Sequence, residues 1–315
     1  MNRSSATPSP QASEATEFAE EVSLPCVLSF NASDPTGAGG ITGDALVIAS
    51  VGAHAIPVVT GAYLRDTRET VGHAALDEAA IIEQARLAAE DVPLQLIKVG
   101  FAGNAEAVAA IAAFASDYSN IPVVAYMPDL SWWEDHEIDT YLDAFRELLL
   151  PQTAILVGNN STLRHWLLPE STTSRNARAT DLARAAAELG VSYVLVTGLA
   201  LPDGHVGNVL ASPQEELCTH SFERIDASFM GAGDLLSAAL AGLLATGLDL
   251  GEAATEALQY LDQALDHGFH PGMGHAMADR LFWAGSDSQD TTESETQADS
   301  PAPIDIPNPF NETKH

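Results

Sequence analysis

Lysine is almost absent from this chain: Lys98 and Lys314 are the only two among 315 residues. Lysine and arginine together number 13 against 44 aspartates and glutamates, a formal net charge of −31. So negative a chain repels nucleic-acid phosphates and anionic lipid surfaces, and neither is expected as a partner. The shortage of lysine against acid points to a surface adapted to high salt. Cysteine is equally scarce. Cys26 and Cys218 stand alone, without the number for a disulfide framework or the spacing of a metal site, which suits a reducing compartment. Long apolar runs are missing too. The longest, Leu235 to Leu248, is too short to span a bilayer, and the opening MNRSSATPSPQASEATEFAEE has no apolar signal-peptide core. The expectation is a soluble, cytoplasmic protein.

Residues 1–23 and 285–315 are rich in Ser, Thr, Pro, Asp and Glu and poor in large apolar groups, so both are expected to be disordered, the second as an acidic tail. The folded unit is then 24–284, read as one large domain. Within it, short apolar runs of buried-sheet type recur: CVLSFN (26–31), AIPVVT (55–60), LQLIKVG (94–100), IPVVAY (121–126), AILVG (154–158) and VSYVLVTG (191–198). Helical patterns separate them. Ile41, Ala45, Ile48, Ala49 and Gly52 share one face, as do Ala254, Ala257, Leu258, Leu261, Ala264 and Leu265. Alternating strands and helices imply an α/β fold with a mainly parallel sheet covered on both faces, and ligands in such folds bind beyond the carboxyl ends of the strands.

Two glycine-rich turns stand at such ends. SFNASDPTGAGGITGD (29–44) leaves the first strand and enters a helix carrying Asp44; it fits neither the dinucleotide fingerprint nor the P-loop, which needs a Lys. SFMGAGD (228–234) opens a long Ala/Leu helix. There Gly231, Ala232 and Gly233 let an anion approach the unpaired N–H groups of a helix start, with Asp234 beside it. Alone, Asp234 could equally be an acid favoured in a helix's first turn.

NASDPTGAGGITGD, IKVGFAGN (97–104), LLLPQTAILVGNN (148–160), YVLVTG (193–198) and GAGD, in that order, resemble the hydroxymethylpyrimidine/phosphomethylpyrimidine kinases of thiamine biosynthesis, within the ribokinase-like superfamily. The closing GFHPGMGHAMADRLFWA (268–284) is similar to the ending of a bacterial branch of that family. The resemblance implies a three-layer α/β/α sandwich, ATP and Mg²⁺ as cofactors, a small pyrimidine alcohol as substrate, and a possible homodimer. It implies that Gly231, Ala232 and Gly233 form the anion hole, and that Asp234 is the catalytic base where most members carry Cys. Asn31, Ala32, Gly39 and Asp44 would clamp the substrate, with Arg65 and Phe101 at two further specificity positions. Thr197 and Gly198 would meet nucleotide phosphates, and Asn159 would reach the metal through water.

The sequence also departs from the family. Tyr126 and Met127 stand where Asp-Pro is usual, with Asp129 nearby as a substitute. Thr162 replaces a metal-organising Glu, and Arg65 a substrate-reading Gln. Trp132 and Trp133 are candidates for a flap. Two readings therefore stand: an active kinase, or an impaired paralogue that binds a pyrimidine, a vitamin-like ligand or a protein partner.

Overall fold

The computed structural model describes residues 24–168 and 177–284. The expectations for residues 1–23 and 285–315 concern segments outside these. One compact unit extends to Arg280, and the 3-10 turn Phe282–Ala284 belongs to a second.

The strands are β1 (Cys26–Ser33), β2 (His54–Arg65), β3 (Thr70–Ala75), β4 (Leu94–Val99), β5 (Val123–Met127), β6 (Ile155–Asn159), β7 (Tyr193–Ala200), β8 (His205–Ala211), β9 (Glu216–Glu223), β10 (Phe229–Met230) and β11 (Ala276–Met277). The helices are α1 (Gly40–Ser50), α2 (Glu78–Asp91), α3 (Ala105–Asp117), α4 (Asp135–Ala144), α5 (Asn160–Leu167), α6 (Ala179–Ala187), α7 (Ala232–Ala245) and α8 (Leu250–Asp266). Nine strands form one sheet in the order β3-β2-β1-β4-β5-β6-β7-β8-β9. β2, β1 and β4 to β7 run parallel, while β3 at one edge and β8 and β9 at the other are antiparallel. The short parallel pair β10-β11 stands apart.

All six expected strands are present, since each is an apolar run of strand length and those at the centre of the sheet are buried on both faces. The antiparallel strands β3, β8 and β9 were not expected. TVGHAA and ELCTHSFE are half-buried or exposed throughout at the sheet edges, so they lack the continuous apolar signal of a central strand. α1 differs in register. Its buried face is Gly40, Ile41, Gly43, Asp44, Val47 and Ile48, while Ala49 and Gly52 are exposed. The reason is Asp44, which faces inward to meet a buried cation and so rotates the helix from the purely apolar face.

α7 is buried from Asp234 to Leu243 and packs against α1, α8 and the sheet. α2 to α6 join a second apolar layer built around Phe30, Phe101, Ile111 and Tyr141. Helices on both faces leave the carboxyl ends of β1, β2 and β4 to β7 along one rim, where the turn into α7 lies.

Candidate active site

A cavity of about 480 Å³ opens along that rim, from β2 and β3 across β5 to β6 and β7. Tyr63, Arg65 and Thr70 line it from the β2–β3 side, with Trp132 and His275; Asn159 and Thr197 line the opposite end. Residues 228–234 border it, and Asp234 is the carboxylate of that turn. Gly231 sets the turn. It holds a left-handed φ of 80° and its Cα packs against the carbonyl of Ala38, so an added side chain would meet both backbone strain and a backbone oxygen. The helix that follows directs its first N–H groups at the cavity, and helix geometry leaves them without internal partners.

Asp234 is anchored from three sides. Its Oδ1 accepts from Asn31 Nδ2 at 3.0 Å and Lys98 Nζ at 3.3 Å, and its Oδ2 accepts from the Gly40 N–H at 3.1 Å. A Cβ at Gly39 would come within 2.7 Å of the same Oδ2, which explains the glycine. Behind it, Lys98 Nζ donates to both oxygens of Asp44 at 2.8 Å, and Asp44 also accepts from Ser29 Oγ and Asn31 Nδ2. Lys98 and Asp44 are fully buried. Burial pushes the Asp44 carboxyl up, and the Lys98 charge does not fully offset it. Burial also works against an ionised Asp234, but Lys98, the Gly40 N–H and the Asn31 amide outweigh it and hold that carboxyl below its ordinary value. Burial opposes the Lys98 charge as well, and its two carboxylates overcome this, raising its pKa.

A second ion pair shapes the first loop. Arg65 forks onto Asp34, with Nε on Oδ1 at 2.9 Å and Nη2 on Oδ2. Asp34 also accepts from Thr36 and from the Gly39 N–H at 2.8 Å, bending NASDPTGAGG back toward Asp234. Burial pushes Asp34 up, yet Arg65 and these donors hold it at about 2. Arg65 lies over the Tyr63 ring, 4.5 Å from its centroid, and Tyr63 stacks on Phe101 at 5.2 Å. Trp132 meets Tyr63 edge-on and stacks on Trp133 at 5.6 Å.

The residues singled out in the sequence therefore separate into two sets. Asp234, the 231–233 turn, Arg65, Asn159 and Thr197 border the cavity. Asn31, Ala32, Gly39, Asp44 and Phe101 do not; they build the wall behind it. Asn31 spends its amide on Asp44 and Asp234 and its carbonyl on the N–H groups of Ala32 and Phe101. Asp44 is committed to protein donors and Phe101 to the aromatic cluster. Gly198, at φ 75°, packs on the Asn159 amide rather than opening to the cavity. The guanidinium of Arg65 is compensated by Asp34, so it is not the free cation that an anionic substrate would need.

Several site residues were not visible beforehand. Lys98 is the main one. Tyr63 and Thr70 come from the β2–β3 hairpin, whose second strand gave no signal. His275 arrives on the C-terminal segment, which is tied down where the His275 N–H donates to Thr67 O, Gly274 N–H to Thr67 Oγ1, and Arg280 to Ala38 O.

A mainly parallel sheet covered on both faces, with Asp234 at a glycine-rich helix start on its rim, is the arrangement that the resemblance to ribokinase-like kinases implies. The chain belongs to the phosphomethylpyrimidine kinase family, which residues 34–279 match. It is 28% identical to a hydroxymethylpyrimidine/phosphomethylpyrimidine kinase of Streptomyces coelicolor, over 84% of this chain and 96% of that one. Its fold is similar to that of Bacillus subtilis pyridoxal kinase, solved as an ADP complex (TM-score 0.72, 19% identity, 83% of this chain and 99% of that one). It is also similar to a phosphomethylpyrimidine kinase from Clostridium difficile (TM-score 0.61, 19% identity, 75% and 98%).

Proposed function

We propose that this protein transfers the γ-phosphoryl of ATP to hydroxymethylpyrimidine, to its monophosphate, or to both, as a kinase of thiamine biosynthesis. The observation that carries the reading is the position of Asp234: an ionised carboxylate at the third residue of α7, opening onto the cavity beside amides that can hold a phosphoryl group. Phosphoryl transfer asks for that pair, since the transition state spreads negative charge over oxygens while a base takes the hydroxyl proton. Trp132 offers an aromatic surface for a flat ring at the β2–β3 end. Asn159, Thr197 and the 231–233 turn offer polar groups for nucleotide phosphates at the other.

The reading takes Mg²⁺ as the ion that accompanies ATP. Among the described residues no cluster of three metal-ligating side chains exists. Asp129, which lines the cavity, and Asn159 would hold Mg²⁺ largely through water, a donor set that fits an ion also carried by nucleotide phosphates. The ion would neutralise charge on the transferring group. Thr162 lies in a separate depression with Asp129, Asp135 and His165. Thr162→Glu is therefore expected to lower the Mg²⁺ concentration for half-maximal activity by about tenfold, by adding a carboxylate on the far side of Asp129. An unchanged Mg²⁺ titration would remove Thr162 from the site.

The same reading takes the protein as cytoplasmic, independent of nucleic acid and dimeric. Its net charge supports the second point, and the exposed Leu64 and Val71 on the β2–β3 edge support the third. No helix among the described residues is long and apolar enough to cross a membrane.

The deciding experiment is a coupled ADP-release assay over hydroxymethylpyrimidine, its monophosphate and pyridoxal. Turnover with either pyrimidine and little with pyridoxal is expected. Pyridoxal as the preferred substrate would overturn the substrate assignment, and no turnover with any of the three would favour the impaired paralogue.

A further inference from the structure

Tyr126 is the penultimate residue of β5, the strand midway between the two ends of the cavity, and its side chain lines the cavity. The phenol lies directly against Gly233: a Cβ built on that glycine would overlap the hydroxyl, Cζ and Cε2. The ring thus fills the place that a side chain at 233 would take, and it brings its hydroxyl beside the first turn of α7. Gly233 is small for this reason as much as for access to its N–H. Among the described residues, the Tyr126 hydroxyl has no hydrogen-bond partner in the protein. A hydroxyl placed at a helix start inside a cavity, with its donor unspent, is arranged for something that enters the cavity.

The surrounding charges say what that is. A helix start carries about half a positive charge and attracts anions, but Asp234 and Asp129 both border the same cavity and repel them. A neutral donor adds attraction for a phosphate oxygen without bringing a cation that the carboxylates would capture. Burial, with Asp234 and Asp129 acting in the same direction, raises the phenol well above its ordinary pKa, so it stays a donor throughout the neutral range. We propose that the Tyr126 hydroxyl is a further binding residue of the phosphoryl-transfer site, donating a hydrogen bond to an oxygen of the γ-phosphoryl held at the 231–233 turn. Tyr126 keeps its proton and forms no covalent bond. The bond that breaks is between Pγ and the bridging oxygen of ATP, the bond that forms is between Pγ and the substrate oxygen, and the substrate proton goes to Asp234.

This inference rests on the kinase reading but can be tested apart from it. Tyr126→Phe keeps the ring against Gly233 and removes only the oxygen, so packing is preserved. Affinities for β,γ-imido-ATP and for ADP, each with Mg²⁺, are measured by calorimetry on wild type and variant. The expected result is a loss of about tenfold or more for β,γ-imido-ATP, as for a hydrogen bond to a charged group, with ADP changed less than about twofold. Where turnover is measurable, kcat should fall by about 10- to 100-fold, toward the lower end of the effect of removing one donor from an oxyanion site. A tyrosine that only packs would change both nucleotides equally or neither, and either outcome overturns the proposal, as does a wild type that binds no β,γ-imido-ATP. Wild-type protein that shows the γ-selective loss on mutation yet phosphorylates no pyrimidine would sink the substrate assignment and leave the role of Tyr126 standing.

Discussion

On the proposed role of Asp234 as general base, Asp234→Asn is expected to lower kcat by about 10²- to 10⁴-fold, the span for loss of such a base, and also to cost stability. The catalytic part follows from position. Asp234 is the carboxylate of the turn that presents the amides, and its pKa is held below the ordinary carboxylate value, which favours the ionised form a base needs. A base with a depressed pKa accepts the proton late, once the substrate oxygen has bonded to phosphorus, which suits a loose phosphoryl-transfer transition state. The acid limb of kcat should accordingly lie below the ordinary carboxylate value of 3.8. The stability part follows from the three donors on the carboxylate. Near-isosteric replacement alone would leave the fold untouched, but Asn presents an NH₂ either to the Gly40 N–H or to the Asn31 amide and Lys98, so one buried donor faces another in either rotamer. One buried group left unsatisfied costs about 1–3 kcal/mol. Single-turnover kinetics and urea unfolding of the same preparation separate the two effects. A variant with unchanged kcat makes Asp234 a helix-start residue, whatever its stability.

The parts of this arrangement that were legible in the sequence are local ones. GAGD and the six apolar strands can be read because turn chemistry and burial act on neighbouring residues. Asn31, Gly39 and Asp44 lie behind Asp234 as the wall that holds it; their partners lie up to 203 residues away, so no local pattern announces this arrangement. Arg65 is singled out in the sequence, yet only the fold shows that Asp34 in the first glycine-rich loop neutralises it. At Tyr126 the sequence shows a missing acid; the packing of its ring against Gly233 is seen only in the fold. Lys98 did carry a signal. In a chain with two lysines, one lies within LQLIKVG, a run apolar enough to be buried on both faces, and a buried ammonium requires a carboxylate partner. Asp44, inward-facing on α1, was the natural candidate.

Lys98→Met should be the most destabilising of these substitutions, and its cost should depend on pH in a direction that identifies the cause. Lys98 is wholly buried between Asp44 at 2.8 Å and Asp234 at 3.3 Å. Removing one partner of a buried ionic cluster costs about 3–5 kcal/mol, because the charges left behind are neither hydrated nor compensated. In wild type the folded pKa of Asp234 lies below its unfolded value, so its contribution is present above that value and fades as pH falls through the folded one. Without the ammonium, burial of Asp44 and Asp234 is opposed mainly by the neutral donors Ser29, Asn31 and the Gly40 N–H, and both folded values move up, that of Asp44 further above its unfolded one. The pH dependence shifts the same way: the variant is closest to wild type in acid, where both carboxyls can be protonated, and loses stability against wild type as pH rises through their raised values. Urea unfolding at pH 5 and pH 8 should show a gap between wild type and Lys98→Met that widens at the higher pH. Activity should fall with it even at low temperature, since Asp234 loses the contact that keeps it ionised and aimed at the cavity. An equal loss of stability at both pH values would mean that Lys98 contributes packing by its apolar stem alone, and the ionised state of Asp234 would then have to come from Gly40 and Asn31.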